Sequence, residues 1–513
     1  MALSKINPSK LDVWSKLERQ FELESKINLL DFFEEKNRLK DFTVNINNFY
    51  VDFSKNRFSK KTFNLMIELC NKTNLKDNID KYFNGYLINE TEKRAVTHTK
   101  LRSNKKDNNL KSTLEKIKII SNEINNGNRK GFTGKKFTDI VNIGIGGSHL
   151  GPEMVTEALS LYSLGIKPHY ISNIDTDFTS QVLEKLNPET TIFIVVSKTF
   201  TTIETIENAK KIKNWFLKKT NLKSIEDHFI AISNNIKAPE KFGVNKDNIL
   251  RIPESVGGRF SLWGSAGLII AIVIGFENFE KFLNGGELMD KHFKETSFEK
   301  NIPVVLALIS IWYNNFFKCE TEAVLPYSQF LSKLPDYLQQ VNMESNGKNI
   351  DRNNKKVDYQ TGPIIWGSTG TNAQHAFFQL MHQGTKMVPS DFIAFKNTIY
   401  EDKLNNEILN SNFLAQTNAL MKGKHTSQKD IHKNIEGNKP STSIVINKLN
   451  PSNLGSLISM YENKIFSIGS ILNIYSYDQW GVELGKSIAR EISSGTEDNL
   501  DDSTKKLRQI LKT

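Results

Sequence analysis

Cysteine is almost absent from the chain, which holds only Cys70 and Cys319 among its 513 residues. Two cysteines this far apart in sequence provide neither a disulfide framework nor the closely spaced thiolates of a zinc site. Such sparse use of cysteine is typical of proteins in a reducing compartment. Residues 1–5 also lack the apolar run of a secretory signal, so the sequence predicts a cytoplasmic protein.

Long apolar runs are missing as well. No run approaches the roughly 18 residues that a helix needs to span a bilayer. The longest apolar segment, residues 268–276, follows a glycine-containing turn and is interpreted as a buried core helix. We therefore expect no association with a membrane.

Charge of one sign is not concentrated in any part of the chain. Lys and Arg exceed Asp and Glu by 68 to 57, and the net charge of +11 favours anionic ligands in general. The lysines are scattered, whereas nucleic-acid binders gather them in a patch with interleaved aromatic residues. The densest basic stretch, NRKGFTGKK at 128–136, is interpreted as a solvated loop, with contact to an RNA backbone as the alternative. We expect no nucleic-acid partner.

What the sequence does contain is the pattern of an α/β protein. Residues 1–110 place apolar side chains at helical spacing without a strand of buried type, which predicts a helical amino-terminal region. Further along, short apolar runs alternate with helical patterns, and this alternation predicts parallel sheets covered by helices on both faces. Strands are expected at 140–145, 169–172, 191–196, 229–233, 249–252, 322–325, 363–366, 392–395 and 443–446.

These patterns divide the chain into four segments. We assign 1–110 to the helical amino-terminal region, 111–290 to a first three-layer αβα domain, 291–475 to a second one and 476–513 to a carboxyl-terminal helical tail. The polar, lysine-rich stretch 422–441 is expected to be a surface loop. The predicted fold class is α/β, with two parallel sheets.

Two polar segments that follow strands of the first domain form a candidate phosphate site. GIGGSHLGP at 144–152 lets backbone amides approach an anion at a helix amino terminus, and the Ser148 hydroxyl is a further donor. SKTFTT at 197–202 brings four hydroxyls and an amine to the end of another strand, where parallel sheets bind ligands. A plain tight turn and helix capping are the respective alternatives.

Two segments carry groups suited to proton transfer. Gly257, Gly258 and Arg259 combine backbone room with a guanidinium that can neutralise an oxyanion. Glu344 lies among amides and hydroxyls in LPDYLQQVNMESNGK at 334–348 and is a candidate general base, with a solvated surface glutamate as the alternative.

Two later segments add candidate acid/base groups. GSTGTNAQHAFF at 367–378 is expected to enter a helix that continues through His382, with His375 and His382 on one face. The spacing does not suit zinc, so His375 is interpreted as an acid/base group and His382 as structural. YDQWGVELGK at 477–486 also enters a helix and can bring the Lys486 ammonium to the site, with a surface lysine as the alternative.

Together these six segments resemble those of the phosphoglucose isomerase family, in the family's order. SKTFTT at 197–202, MESNGK at 343–348 and QWGVELGK at 479–486 carry the resemblance. It implies two sugar-isomerase domains and a homodimer whose active sites lie where the subunits meet. It also implies reversible isomerisation of glucose 6-phosphate and fructose 6-phosphate, through ring opening and a cis-enediolate, in glycolysis and gluconeogenesis, with no metal or cofactor.

The resemblance also implies roles for individual residues. The sugar phosphate would be held by Ser148, Ser197, Lys198, Thr199 and Thr202, and the site would be lined by Gly147, Gly258, Gln340 and Gln479. Glu344 would move the proton between C2 and C1, and Arg259 would stabilise the enediolate. His375 of the partner subunit would assist ring opening, with Lys486 near the ring oxygen or a hydroxyl.

Four positions depart from the family pattern, one of them His149, which follows the serine of the glycine turn. Ser368 and Thr369 stand where the family often has Glu-Pro, and Ala373 replaces a frequent glycine. Because alanine adopts positive φ less readily than glycine, the loop that presents His375 is expected to differ.

Two other functions stay open at this point. One is a sugar-phosphate sensor that binds without converting its ligand, and the other is an isomerase that acts on an amino sugar or a mannose epimer. The joint presence of a base, Glu344, and an oxyanion stabiliser, Arg259, favours an enzyme, because a binding module has no need of either.

Overall fold

The computed structural model describes residues 2–494 and 500–511 of the chain. The chain divides into two units, Met1–Ser476 and Tyr477–Thr513. The strands are β1 Thr43–Ile46, β2 Phe49–Asp52, β3 Asp139–Ile143, β4 Lys167–Ile171, β5 Thr191–Val196, β6 Phe229–Ile232, β7 Ile249–Leu250, β8 Thr321–Pro326, β9 Ile364–Gly367, β10 Ser390–Asn397 and β11 Ser441–Lys448. The nine strands expected from the sequence are all present, and β1 and β2 were not expected.

Twenty α-helices accompany these strands in the described residues. They are α1 Asp12–Glu24, α2 Arg38–Asp41, α3 Lys60–Lys72, α4 Leu75–Asn84, α5 His98–Arg102, α6 Asn108–Asn126, α7 Leu150–Ala158, α8 Thr176–Glu184, α9 Ile203–Thr220, α10 Lys237–Phe242, α11 Leu268–Ile274, α12 Phe276–Glu295, α13 Ile302–Asn315, α14 Leu334–Gln339, α15 Gly370–Gln374, α16 Phe378–Gln383, α17 Lys403–Lys422, α18 Pro451–Ile471, α19 Glu483–Ser494 and α20 Asp502–Leu511. No helix in the described ranges is both long and apolar enough to cross a membrane.

The first sheet has five parallel strands in the order β4-β3-β5-β6-β7. All six residues of β5 are buried, because the strand is central and helices cover both faces of the sheet. The chain passes from β3 outward to β4 and then returns to the other side of β3 at β5. The carboxyl ends of β3 and β5 therefore flank a point where the winding reverses, and parallel sheets bind ligands at such a point.

The second sheet has six strands in the order β1-β2-β11-β10-β8-β9. Strands β11, β10, β8 and β9 are parallel, whereas β2 joins β11 antiparallel and pairs Val51 with Ile444. The hairpin β1–β2 comes from the amino-terminal region, for which the sequence predicted only helices. Its strands are four residues long and bury only alternate positions, so their period is hard to detect among helical segments.

The helix α18 runs through the protein core, and almost all of its residues are buried. It packs on α12, where glycines allow close approach of the two backbones. A Cβ atom added to Gly285 would lie 1.8 Å from the carbonyl oxygen of Ser452, and one added to Gly455 would lie 2.0 Å from that of Phe282. Helix α11 is fully buried as well, which confirms a core helix in this segment, although the expected range 268–276 is interrupted at Gly275, whose φ is +81°.

A buried charge cluster ties these helices together around Arg102, the last residue of α5. The Arg102 guanidinium donates through Nε and Nη2 to the two carboxylate oxygens of Asp290, at 2.7 and 2.8 Å, and through Nη1 to Glu462. Trp263 Nε1 and the Tyr337 hydroxyl donate to the other oxygen of Glu462, at 2.9 and 3.2 Å. The two carboxylates raise the pKa of Arg102 despite its burial, so the group stays a cation.

The second unit contains α19 and α20. Each helix carries exposed apolar side chains at helical spacing, namely Leu484 and Ile488 on α19 and Leu507, Ile510 and Leu511 on α20.

Arg102 is therefore expected to be essential for stability. Replacing it with methionine leaves Asp290 and Glu462 as buried carboxylates without a counter-ion, which should reduce the free energy of unfolding by about 3–5 kcal/mol. Urea unfolding at neutral pH followed by tryptophan fluorescence measures the change. Lys16→Met, which removes exposed pairs with Asp12 and Glu68, is the control and should leave the midpoint unchanged. An R102M protein with the wild-type midpoint would contradict this account.

Candidate active site

The glycine turn after β3 lies against the end of β5, as the sheet order requires. A Cβ atom added to Gly144 would lie 2.8 Å from Ser148 Cβ and 3.2 Å from the carbonyl oxygen of Val196. Ser148 ends the short 3₁₀ helix Gly146–Ser148, just before α7, and Asn142 Nδ2 donates to its carbonyl oxygen at 2.9 Å. The Asn142 side chain thus supports the turn from β3, a role that the sequence analysis did not identify.

The segment 197–202 continues from β5 at the same edge of the sheet. Ser197 is buried and donates to Thr202 Oγ1 at 3.2 Å, while Thr199 and Thr201 share a hydrogen bond of 2.7 Å. Phe200 has φ of +56°, which is uncommon for a residue with a side chain and marks a tight turn. Thr202 precedes α9, but its side chain accepts no hydrogen bond from that helix in the described structure, so capping does not account for this segment.

Lys198 is held at this edge by two backbone carbonyls. Its Nζ donates to the carbonyl oxygens of Glu254 and Val256, at 2.8 and 3.0 Å. Burial, together with the positive charge of Arg94, lowers the pKa of Lys198 below its usual 10.5. An ammonium group has three donors, so one N–H of Lys198 is left for an anion.

The glycine turn also contacts the segment that carries Arg259. A Cβ atom added to Gly147 would lie 2.1 Å from the carbonyl carbon and oxygen of Gly258 and 2.4 Å from Arg259 N, where no real side chain fits. Gly258 begins the 3₁₀ helix Gly258–Trp263. Glycine at position 147 therefore brings the first and third sequence motifs into direct contact.

Arg259, which follows Gly258 in the chain, lies next to Glu344. Arg259 is buried and donates through Nε to Ser345 Oγ at 2.8 Å and through Nη2 to the Ser476 carbonyl oxygen at 2.8 Å. Its Nη1 lies 3.6 Å from Glu344 Oε2, which also accepts a hydrogen bond of 3.0 Å from Gln340 Nε2. One carboxylate oxygen of Glu344 is thus oriented by an amide and a cation.

Glu344 lies in a π-helix, Gln340–Glu344, that follows directly on α14. Such wide turns are frequent at functional sites, and the sequence analysis did not predict this one. Lys348 Nζ donates to the carbonyl oxygens of Glu344, Ser345 and Tyr475, and Asn342 Nδ2 donates to that of Pro363 at 2.9 Å. These bonds hold the segment at both ends, so the position of Glu344 is well defined.

Gln340 links Glu344 to the glycine turn. A Cβ atom added to Gly146 would lie 3.1 Å from Gln340 Nε2, the group that donates to Glu344. Within the described residues, Gln340 Oε1 is buried without a hydrogen-bond partner. The structure therefore places Gly147, Gly258, Arg259, Gln340 and Glu344 around one point.

His375 lies outside this group. It follows α15 and is exposed, and α16 begins only at Phe378, so the expectation of one helix through His382 is wrong. The break occurs because Phe377, with φ of −138°, leaves the helical region. Among the described residues, His375 makes no hydrogen bond or ion pair with Glu344. His382 bonds through Nε2 to Gln416 Oε1 at 2.7 Å.

The departures from the family pattern are accommodated locally. Ala373 is buried within α15, where no positive φ is required, so the strain expected of alanine does not arise. Thr369 Oγ1 accepts a hydrogen bond of 2.9 Å from Asn372 Nδ2 at the start of the same helix.

Gln479 and Lys486 belong to the second unit, Tyr477–Thr513. Gln479 precedes the 3₁₀ helix Trp480–Val482, and Lys486 lies in the first turn of α19 with its Nζ 2.9 Å from Glu483 Oε1.

Chemically, the first unit combines two functions. The edge formed by Ser148 and segment 197–202 presents hydroxyls, amides and one ammonium, which suits a phosphate. Beside it, an oriented carboxylate and a buried guanidinium can remove a proton and stabilise the resulting oxyanion.

Comparison with known proteins agrees with this chemistry. The phosphoglucose isomerase family model matches residues 52–507 of the chain. A glucose-6-phosphate isomerase from Christiangramia forsetii is 52% identical, covering 98% of this chain and 99% of its own length, and one from Buchnera aphidicola subsp. Cinara cedri is 50% identical, covering 96% and 94%. The crystal structure of a glucose-6-phosphate isomerase from Chlamydia trachomatis has a TM-score of 0.89 at 29% identity, covering 98% of this chain and 99% of that one. The chain thus belongs to the phosphoglucose isomerase family.

Proposed function

We propose that this site catalyses the reversible isomerisation of glucose 6-phosphate and fructose 6-phosphate, the step that connects these sugars in glycolysis and gluconeogenesis. The observation that supports this most directly is the contact of Glu344 with Gln340 at 3.0 Å and with Arg259 at 3.6 Å, beside a donor-rich edge that suits a phosphate. A carboxylate oriented in this way is a general base, and a guanidinium next to it stabilises the anion that proton removal creates.

The reaction begins with the cyclic sugar bound through its phosphate. Ser148, Ser197, Lys198, Thr199 and Thr202 hold the phosphate by hydrogen bonds and charge. The backbones of Gly147 and Gly258 and the amide of Gln340 line the space for the sugar. Because the phosphate is held at a fixed place, C1 and C2 of the opened chain can be presented to Glu344.

Proton transfer follows ring opening. His375 passes its proton to the ring oxygen and takes the proton of the C1 hydroxyl in return, as the bond between C1 and the ring oxygen breaks and C1 becomes the aldehyde carbon. Glu344 then removes the C2 proton, and the C2–H electrons form a double bond to C1 as O1 becomes an oxyanion beside Arg259. Return of the proton to C1, with transfer of the O2 hydroxyl proton to O1, yields the ketose. Every step uses side chains alone.

We further propose that the protein acts as a homodimer in the cytoplasm, with His375 contributed by the partner subunit. His375 is exposed and, among the described residues, makes no hydrogen bond with Glu344 of its own chain, as expected of a residue that serves another subunit. Apolar side chains on α17, which contacts α15, and on the loop before it are also exposed, which is typical of a surface that another chain covers. They are Ile399, Tyr400, Leu404, Ile408 and Leu414.

Replacing Glu344 with glutamine tests the base. The amide keeps the shape of the side chain but cannot take the C2 proton, so kcat should fall by about a hundredfold to ten-thousandfold with little change in KM. A coupled assay that feeds fructose 6-phosphate without added metal and records glucose 6-phosphate formation measures both constants. Glu189→Gln, at an exposed pair with Lys135, is the matched control. Sugar-phosphate binding by an inactive wild type would instead support the sensor function.

Coexpression of two inactive variants tests the shared site. If His375 serves the partner, a dimer of one Glu344→Gln and one His375→Ala subunit has one intact site, and random pairing should restore about a quarter of wild-type activity. Glu344→Gln with Arg259→Met is the control, because both residues act within one chain and no intact site can form. Equal, low activity in both coexpressions would show that His375 serves its own subunit.

We expect the affinity for the substrate to fall at alkaline pH because Lys198 loses its charge there. Its lowered pKa means that the ammonium loses its proton at a lower pH than an ordinary lysine, so KM should rise with pH through that lowered value while kcat stays flat. Lys198→Met should raise KM by about ten- to a hundredfold at neutral pH and remove the alkaline rise. Initial rates across pH 7–11 measure both effects, with Lys210→Met as control. A wild-type KM that is constant up to the ordinary lysine range would contradict this role.

A further inference from the structure

The loop at residues 89–97 is docked on the segment that holds Lys198. A bridge between Asn89 and Arg94 closes the loop, which leads into α5. At its end, Thr97 N donates to the Ser255 carbonyl oxygen at 3.1 Å, and the hydroxyls of Thr97 and Ser255 lie 2.5 Å apart. Thr97 thus contacts both the backbone and the side chain of Ser255.

Ser255 lies between the two residues whose carbonyl oxygens hold the Lys198 ammonium, Glu254 and Val256. Other bonds fix the surroundings of this carbonyl pair. Val256 N donates to the Pro253 carbonyl oxygen at 3.0 Å, and Asn234 N donates to the Lys198 carbonyl oxygen at 2.9 Å. Because the backbone on both sides of Ser255 carries the Lys198 ligands, a shift of Ser255 moves both carbonyls and the ammonium with them.

We propose that Thr97 is a positioning residue, whose hydrogen bonds to Ser255 set the carbonyl pair of Glu254 and Val256 and so aim the Lys198 ammonium at the substrate phosphate. The inference rests on the proposed function, in which Lys198 binds that phosphate. Thr97 itself does not touch the substrate; it acts through Ser255 and Lys198. Its contribution should therefore appear in substrate affinity rather than in proton transfer.

The same loop carries two of the charged residues that act on Lys198, Arg94 and Glu92. The charged groups that face the ammonium are Arg94 and Glu92 from the loop and Glu254 from the segment that binds it. Arg94 and Glu92 lie 4.0 Å apart at their closest atoms, so the loop brings a loosely paired cation towards the phosphate edge. Loss of the Thr97 contact is therefore expected to change the pH dependence of KM as well as its value at neutral pH.

Thr97→Val is the decisive variant, because valine keeps the shape and β-branching of threonine but has no hydroxyl. KM for fructose 6-phosphate should rise about three- to tenfold, kcat should stay within about twofold, and Thr97→Ser should restore the wild-type KM. Thr113→Val is the control and should match the wild type, because within the described part of the chain the Thr113 hydroxyl bonds to the Asn109 carbonyl oxygen of its own helix, α6. Thermal unfolding of each variant separates loss of the fold from loss of affinity, and Ser255→Ala tests the same contact if T97V does not fold.

A double-mutant cycle with Lys198→Met tests whether Thr97 acts through Lys198. If it does, T97V should add almost nothing to the KM of K198M, because the group that Thr97 positions is gone. Full additivity of the two changes, a wild-type KM for T97V, or a fall in kcat alone would each overturn the proposal. An unchanged KM for K198M would instead refute the phosphate role of Lys198, and with it the proposed function of that residue, whatever T97V shows.

Discussion

The ion pair between Arg102 and Asp290, extended to Glu462, is the interaction on which the site depends. Its members lie on α5, α12 and α18, and Trp263 and Tyr337 join it through Glu462. Trp263 ends the 3₁₀ helix that begins at Gly258, and Tyr337 lies on α14, which runs directly into the π-helix of Glu344. A single buried cation therefore holds the supports of both the oxyanion stabiliser and the base. Charges buried in this way require full pairing, because a buried charge that loses its partner is strongly destabilising.

The two β-sheets contribute different parts of the chemistry. The first sheet opens a crevice at the ends of β3 and β5, where backbone amides and hydroxyls suit a phosphate. The connection from β8 to β9 of the second sheet carries α14 and the π-helix with Glu344. Gly147 lies directly against Gly258 and the Arg259 backbone, where any side chain would clash, and Arg259 Nη1 in turn lies 3.6 Å from Glu344 Oε2. Because the phosphate site and the base are both held in place, binding of the phosphate can present one carbon of a flexible sugar chain to the base.

The side chains of the site differ in how firmly their neighbours hold them. Arg259 is oriented by the buried Ser345 and Glu344 by the half-buried Gln340, whereas Lys198 is oriented by backbone carbonyls on a partly exposed segment. Backbone carbonyls hold an ammonium without neutralising it, so Lys198 keeps its charge for the ligand while burial lowers its pKa. His375 lies at the opposite extreme, on an exposed break between α15 and α16. The groups that are held most firmly are those next to the proton that is transferred, where the reaction needs the most precise geometry.

Much of this could be predicted from the sequence, because its signals are local. The six buried residues of β5 are contiguous, and the motifs around Ser197, Glu344 and Lys486 are short enough to be recognised as they stand. The hairpin β1–β2 and the π-helix of Glu344 could not be predicted, because each depends on partners elsewhere in the chain. Strand β2 is completed by β11, and Asn342 is held by Pro363. The sequence by itself determined the alternation of strands and helices and the chemical groups of the site, since both depend on neighbouring residues. Only the tertiary structure decided which of those groups meet, because contacts such as Arg259 with Glu344 or Thr97 with Ser255 join segments that the packing of whole helices brings together.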